Sequence, residues 1–129
     1  MDLKELSRRI NARLLPSNGD RFPEVRVVHA ADTMSSLIAN ASCDTLLVTS
    51  LNNSQLIRVA ELMDAPGLCL VGGAQPSPEL VARAREAGAV IMVSPFGLEE
   101  TRRLLEEYLA AEGAGHGTGR SPGDDAGRA

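Results

Sequence analysis

"LCLVGGAQPSPELVARAREAG", residues 68 to 88, joins an apolar run to a helix through a pair of glycines, and its reading decides the fold. The run "GLCLVG" (67–72) shows no polar alternation, as expected of a strand covered on both faces. Ser77 stands where an N-cap belongs, and Pro78 follows at the first helical position, where its missing N–H costs nothing. The helix then reaches Gly88, a C-cap glycine. Strand, turn and helix make one β-α unit.

The same unit recurs on both sides. Upstream, "VRVVHA" (25–30) reads as a strand, and Asp32 caps a helix over 33–42 with Met34, Leu37, Ile38 and Ala41 inward. "TLLVTS" (45–50) is the next buried strand, followed by the helix of "NNSQLIRVAELMD". That helix is capped by Asn52 or Asn53 and turns Leu56, Val59, Ala60 and Met63 inward. Downstream, "AVIMVS" (89–94) leads to a last helix with Leu98, Thr101, Leu105 and Tyr108 inward. Ahead of these units, Leu3, Leu6, Ile10 and Leu14 are spaced for an amphipathic helix over 3–15, ended by Pro16 and "PSNGD". The order predicts a three-layer α/β/α fold with a mainly parallel sheet of about four strands, preceded by a helix. Residues 1–111 form the domain; from 112 the chain is glycine-rich and predicts a disordered tail, with His116 solvated.

Composition narrows the function. The net charge is −4, and Lys4 is the only lysine, so the basic footprint of a nucleic-acid binder is missing. Phe22, Phe96 and Tyr108 are the only aromatic residues, too few for a base-stacking platform. Cys43 and Cys69 lack CxxC or histidine companions, so no metal or other cofactor is expected. "MDLKELSRRI" is amphipathic and charged rather than a signal peptide, and no apolar run reaches the ~18 residues of a membrane span. A cytoplasmic protein is expected.

In open parallel sheets, ligands sit beyond the carboxyl ends of the strands. That edge gathers His29, Asn52, Asn53, Gly72, Gly73 and Ser94 as ligand-binding candidates. The glycine spacing matches neither GxGxxG nor GxxxxGK[ST], and none of these loops holds a lysine or arginine. Glu79, Glu99 and Glu100 already complement their helix dipoles. The glycine pair therefore reads first as a strand-to-helix turn. His29 has no orienting partner and nucleophile in a recognisable arrangement, so no catalytic residue is assigned and the chain is not expected to be an enzyme.

The order from "LLVTSLNNSQ" through "VGGAQPSPEL" to "VSPFGLEETRRLL" resembles the DRTGG-domain family. The glycine pair, Pro76 and Pro78, Ser94-Pro95 and Thr101 carry the likeness, whereas Asn52-Asn53 replaces the Asp-Arg pair, Val71 the threonine and Gly97-Leu98 the later Asp-Thr. The family is similar to the amino-terminal, non-catalytic domain of HPr kinase. Its members serve as regulatory or dimerising modules, or as small free-standing proteins associated with iron-only hydrogenase and electron-transfer subunits. The resemblance implies a non-catalytic accessory module of the free-standing kind, a homodimer or a partner of redox-enzyme subunits. Leu51, Ile57, Leu62, Phe96 and Leu98 are the interface candidates, as apolar residues near the edge or outside the minimal inward stripes. The alternative is a sensor that binds a nucleotide or small anion at the carboxyl edge.

Overall fold

The computed structural model describes residues 1–15 and 22–116. Its elements are α1 (Leu3–Arg9), β1 (Arg13–Leu14), β2 (Val27–Ala30), α2 (Met34–Asn40), β3 (Thr45–Thr49), α3 (Gln55–Met63), β4 (Leu68–Leu70), α4 (Pro78–Ala87), β5 (Ile91–Val93) and α5 (Leu98–His116). The fold is α/β, with five strands in the order β1-β5-β4-β3-β2. β2 to β5 are parallel and β1 runs antiparallel to β5.

Alternate side chains of the strands feed two apolar layers, as strand geometry requires. Leu47, Leu68, Leu70, Ile91 and Val93 pack with Leu37 of α2, Leu56 and Ile57 of α3, and Leu80 and Ala84 of α4. Val28, Leu46, Val48, Cys69 and Met92 pack with Leu3 and Leu6 of α1 and Leu105 of α5. Helices α2, α3 and α4 therefore cover one face, while α1 and α5 cover the other. Burial on both faces explains why β3, β4 and β5 read as near-continuous apolar runs.

The first helix is shorter than its periodicity suggests. Asn11 adopts a left-handed φ of 58°, and the chain then enters β1, pairing Arg13 with Val93 and Leu14 with Met92. Leu14 thus occupies an edge strand rather than a fourth helical turn. The expected stop at Pro16 and "PSNGD" lies outside the described residues, as do residues 117–129 of the glycine-rich stretch. α5 runs from Leu98 through His116, and the expected solvation of the His116 side chain lies outside what is described.

Two further expectations change. Ile38 and Met63, read as inward, are 51% and 43% exposed. Their helices bury narrower stripes, Leu37 in α2 and Leu56, Ile57 and Ala60 in α3. The α4 punctuation is as read: Ser77 Oγ accepts from Leu80 N, Pro78 opens the helix, and Gly88 closes it at φ 71°.

Candidate functional site

The carboxyl ends of β2 to β5 point to one edge, lined by residues 31–33, 50–54, 71–77 and 94–97. Chain direction there has a consequence. β4 leads to α4 on one face, and β5 leads to α5 on the other. Neighbouring strands whose connections part to opposite faces open a crevice, the usual ligand position in such sheets. The glycine pair sits at that position.

In this chain the crevice is closed by main-chain bonds. Gly72 N donates to Phe96 O at 2.6 Å, and Gly73 N donates to Ser94 O at 2.8 Å. Both glycines are left-handed, at φ 71° and 64°. That conformation, costly for any residue with a Cβ, turns both N–H groups toward the β5–α5 loop. A Cβ at either position would meet nothing within 4 Å, so the backbone angle alone demands glycine.

Ser94 and Thr101 hold the other side of the crevice. Both are fully buried, with their hydroxyl oxygens 2.8 Å apart. Thr101 Oγ1 donates to Phe96 O at 3.3 Å, so its proton is committed there. Ser94 must then donate to Thr101, and its own oxygen accepts from Phe96 N at 3.1 Å. The loop 94–97 is therefore fixed by a closed ring of hydrogen bonds.

The other candidates are engaged in the same manner. Asn52 bridges two loops, donating from Nδ2 to Gln75 O at 2.8 Å and accepting at Oδ1 from Ser77 N at 2.8 Å. Asn53 Oδ1 accepts from Gln55 N at 2.8 Å. Neither asparagine is the N-cap of α3. That position belongs to Ser54, whose side chain makes no capping bond. Asp32 does not cap α2 either; Thr33 does, by accepting from Ser36 N. Asp32 Oδ1 instead accepts from the Ser50 hydroxyl at 2.5 Å and from Ser50 N at 3.3 Å. His29 Nε2 lies 3.0 Å from Ser36 Oγ, a tie between β2 and α2.

The structure thus brings Asn52, Gly72, Gly73 and Ser94 together, and each bonds to a neighbouring loop. Among the described residues no cluster of three or more His, Cys, Asp or Glu could hold a metal ion. Burial pushes the Cys69 thiol up to about 12, against a weaker opposing effect of a backbone hydrogen bond involving Ser94. No described helix is long and apolar enough to cross a membrane.

The interface candidates do not form one patch. Ile57 is only 1% exposed and belongs to the core, so it offers no docking surface. Leu51, Phe96 and Leu98 are half-buried at the carboxyl edge. Leu62 is 75% exposed but lies at the far end of α3. The sequence reading also missed two cations. Arg58 and Arg83, one turn inside α3 and α4, line a cleft with Ser54, Gln55, Glu79 and Ala82. Inspecting only the loops could not find them, because the cleft depends on α3 packing beside α4.

No curated protein matches the chain in sequence. The fold is similar to a solved structure of the CBS and DRTGG domains of the regulatory region of Clostridium perfringens pyrophosphatase, complexed with its activator diadenosine tetraphosphate. The TM-score is 0.66 at 18% identity, covering 81% of this chain and 45% of that one. This chain therefore spans less than half the length of that neighbour. A DRTGG domain matches residues 5–108, nearly the whole described fold from α1 into α5. The chain belongs to the DRTGG-domain family.

Proposed function

We propose that the chain is a non-catalytic regulatory or accessory binding module, acting as a homodimer or as a small subunit of a hydrogenase-type redox complex in the cytoplasm. The observation that carries this reading is the self-bonded carboxyl edge. Catalysis needs polar groups that converge on a reacting atom, whereas Asn52, Gly72, Gly73 and Ser94 are each spent on bonds between the edge loops. Exposed apolar side chains support assembly: Val27 on edge strand β2, Ile38 on α2, and Leu62 with Met63 in the last turn of α3. The similarity to a pyrophosphatase regulatory region supports the regulatory role.

Two measurements test the reading. Light scattering coupled to size exclusion is expected to show a species heavier than the 13.6 kDa chain, and native co-purification to recover redox subunits. A monomer at tens of micromolar (roughly a generous concentration for a stable interface) with no redox partner recovered refutes assembly.

A second reading, a sensor of a small anion, is favoured by one observation. The neighbouring regulatory region is complexed with an activator that is a polyphosphate. Thermal-shift measurements with nucleotides test it, since a specific ligand raises apparent stability by mass action. No shift with any nucleotide at millimolar concentration refutes it.

A further inference from the structure

We infer that the cleft between the amino-terminal halves of α3 and α4 binds a small phosphate-bearing anion through the guanidinium groups of Arg58 and Arg83. The inference rests on the sensor reading and moves its site from the sheet edge to the outer helical face. The cleft measures about 460 Å³, within the range of small-ligand sites, and is lined by Ser54, Gln55, Arg58, Glu79, Ala82 and Arg83.

What distinguishes this place is that two arginines without an ion pair among the described residues line one cleft, whereas Arg13, likewise without one, stands alone on edge strand β1. Arg8 and Arg9 pair with Glu5, and Arg26 pairs with Asp44. Arg102 pairs with Glu99 and Glu106, and Arg103 pairs with Glu100 and Glu107. Arg58 and Arg83 form no ion pair among the described residues, although Glu61, Glu79 and Glu86 lie three or four residues away along their helices. Two guanidinium groups from different helices thus line one cleft. Their planar forks match phosphate oxygens, and Ser54 and Gln55 add a hydroxyl and an amide beside them.

Side chains must do the recognition. At the start of α3, Gln55 N donates to Asn53 Oδ1, Leu56 N to Asn53 O and Ile57 N to Ser54 O. The walls are held in place by Asn52, which ties the segment entering α3 to Gln75 and to Ser77, the N-cap of α4. A cleft fixed before its ligand arrives loses less entropy on binding. Glu79 opposes the anion and sets a limit on affinity.

Calorimetric titration with tripolyphosphate, ATP and adenosine in ~0.15 M salt separates the phosphate from its carrier. Saturable binding of tripolyphosphate and ATP, without adenosine, is expected. Arg58→Gln and Arg83→Gln should each weaken binding by about tenfold or more, while Glu79→Gln should tighten it a few-fold. Both arginines are exposed, so the double Arg58→Gln/Arg83→Gln protein should keep the ligand-free melting temperature. Binding that survives undiminished in the double variant overturns this site and leaves the sensor reading standing. Binding of none of the three compounds overturns this site, and overturns the sensor reading too when the thermal-shift screen with nucleotides is also silent. ATP and adenosine binding without tripolyphosphate overturns phosphate as the recognised group.

Discussion

Replacing Thr101 by valine tests whether the ring around the 94–97 loop holds the crevice closed. The substitution keeps shape and removes one oxygen from a fully buried site. Phe96 O loses the Thr101 proton but keeps the Gly72 N–H at 2.6 Å. Ser94 fares worse, because its donor pointed at the missing oxygen 2.8 Å away and nothing replaces it. A buried, unsatisfied hydroxyl costs ~1–3 kcal/mol, so Thr101→Val should destabilise by about 2 kcal/mol. In a domain of this size each kcal/mol lowers the melting temperature by ~4 °C, giving a drop of about 8 °C.

Ser94→Ala provides the second arm. It leaves Phe96 N without its acceptor while Thr101 still reaches Phe96 O, at a cost of ~1–2 kcal/mol. The double variant removes the orphaned Ser94 donor along with its partner, so its loss should fall short of the sum by ~1–2 kcal/mol. Urea denaturation of the four proteins measures the coupling directly. Losses that add to within ~0.5 kcal/mol would show that the hydroxyls do not act together, and the ring would be wrong.

Other perturbations bear on separate parts of the fold. A Cβ at Gly67 would stand 2.6 Å from Val90 O, a backbone atom, so Gly67→Ala must part β4 from the approach to β5. Thermal unfolding should register a loss of ~1–3 kcal/mol, and an unchanged midpoint would refute that packing. Gly72→Ala and Gly73→Ala meet open space and should each cost only the left-handed penalty of ~1–2 kcal/mol; a larger loss would mean the turn is tighter than described. Under native conditions near neutral pH, a thiol reagent should modify exposed Cys43 alone and reach Cys69 only in denaturant. Because the Cys69 thiol is raised from 9.0 to about 12, the folded state holds that proton longer than the unfolded one. Stability should therefore decline as pH rises above about 9, by up to ~1.4 kcal/mol per pH unit, and Cys69→Ala should remove that component. Identical slopes in the two proteins would refute it.

Much of the architecture was legible because it depends on local pattern. β4 and β5 are apolar throughout and β3 is apolar between its two threonines, and Ser77-Pro78 and Gly88 mark α4 at both ends. β1 was not legible. Leu14 continues the spacing of Leu3, Leu6 and Ile10, and a two-residue strand carries no alternation of its own. The cap of α2 failed for another reason. Asp32 and Thr33 are both competent, and Asp32 is drawn away by Ser50, 18 residues distant in sequence. The same limit applies to the candidate site. Sequence places Asn52, Gly72, Gly73 and Ser94 on one edge, but Gly72 finding Phe96 O depends on strand order and register.

That dependence also decides what the edge is able to bind. Left-handed glycines present N–H groups outward, and the same geometry serves either a phosphate or a neighbouring carbonyl. Here the neighbours Phe96 O and Ser94 O occupy it. An anion entering the crevice would have to break both bonds and would then face two carbonyl oxygens that repel it. Each main-chain bond contributes ~0.5–1.5 kcal/mol, and the buried Ser94–Thr101 ring resists the loop movement as well. The closed edge is better suited to holding helices than to holding a ligand. Asn52 shows how: its two bonds to the β4–α4 loop fix the start of α4 against the segment that enters α3. The cleft between those helices is where Arg58 and Arg83 have no ion-pair partner among the described residues, so rigidity at the edge becomes preorganisation one turn away.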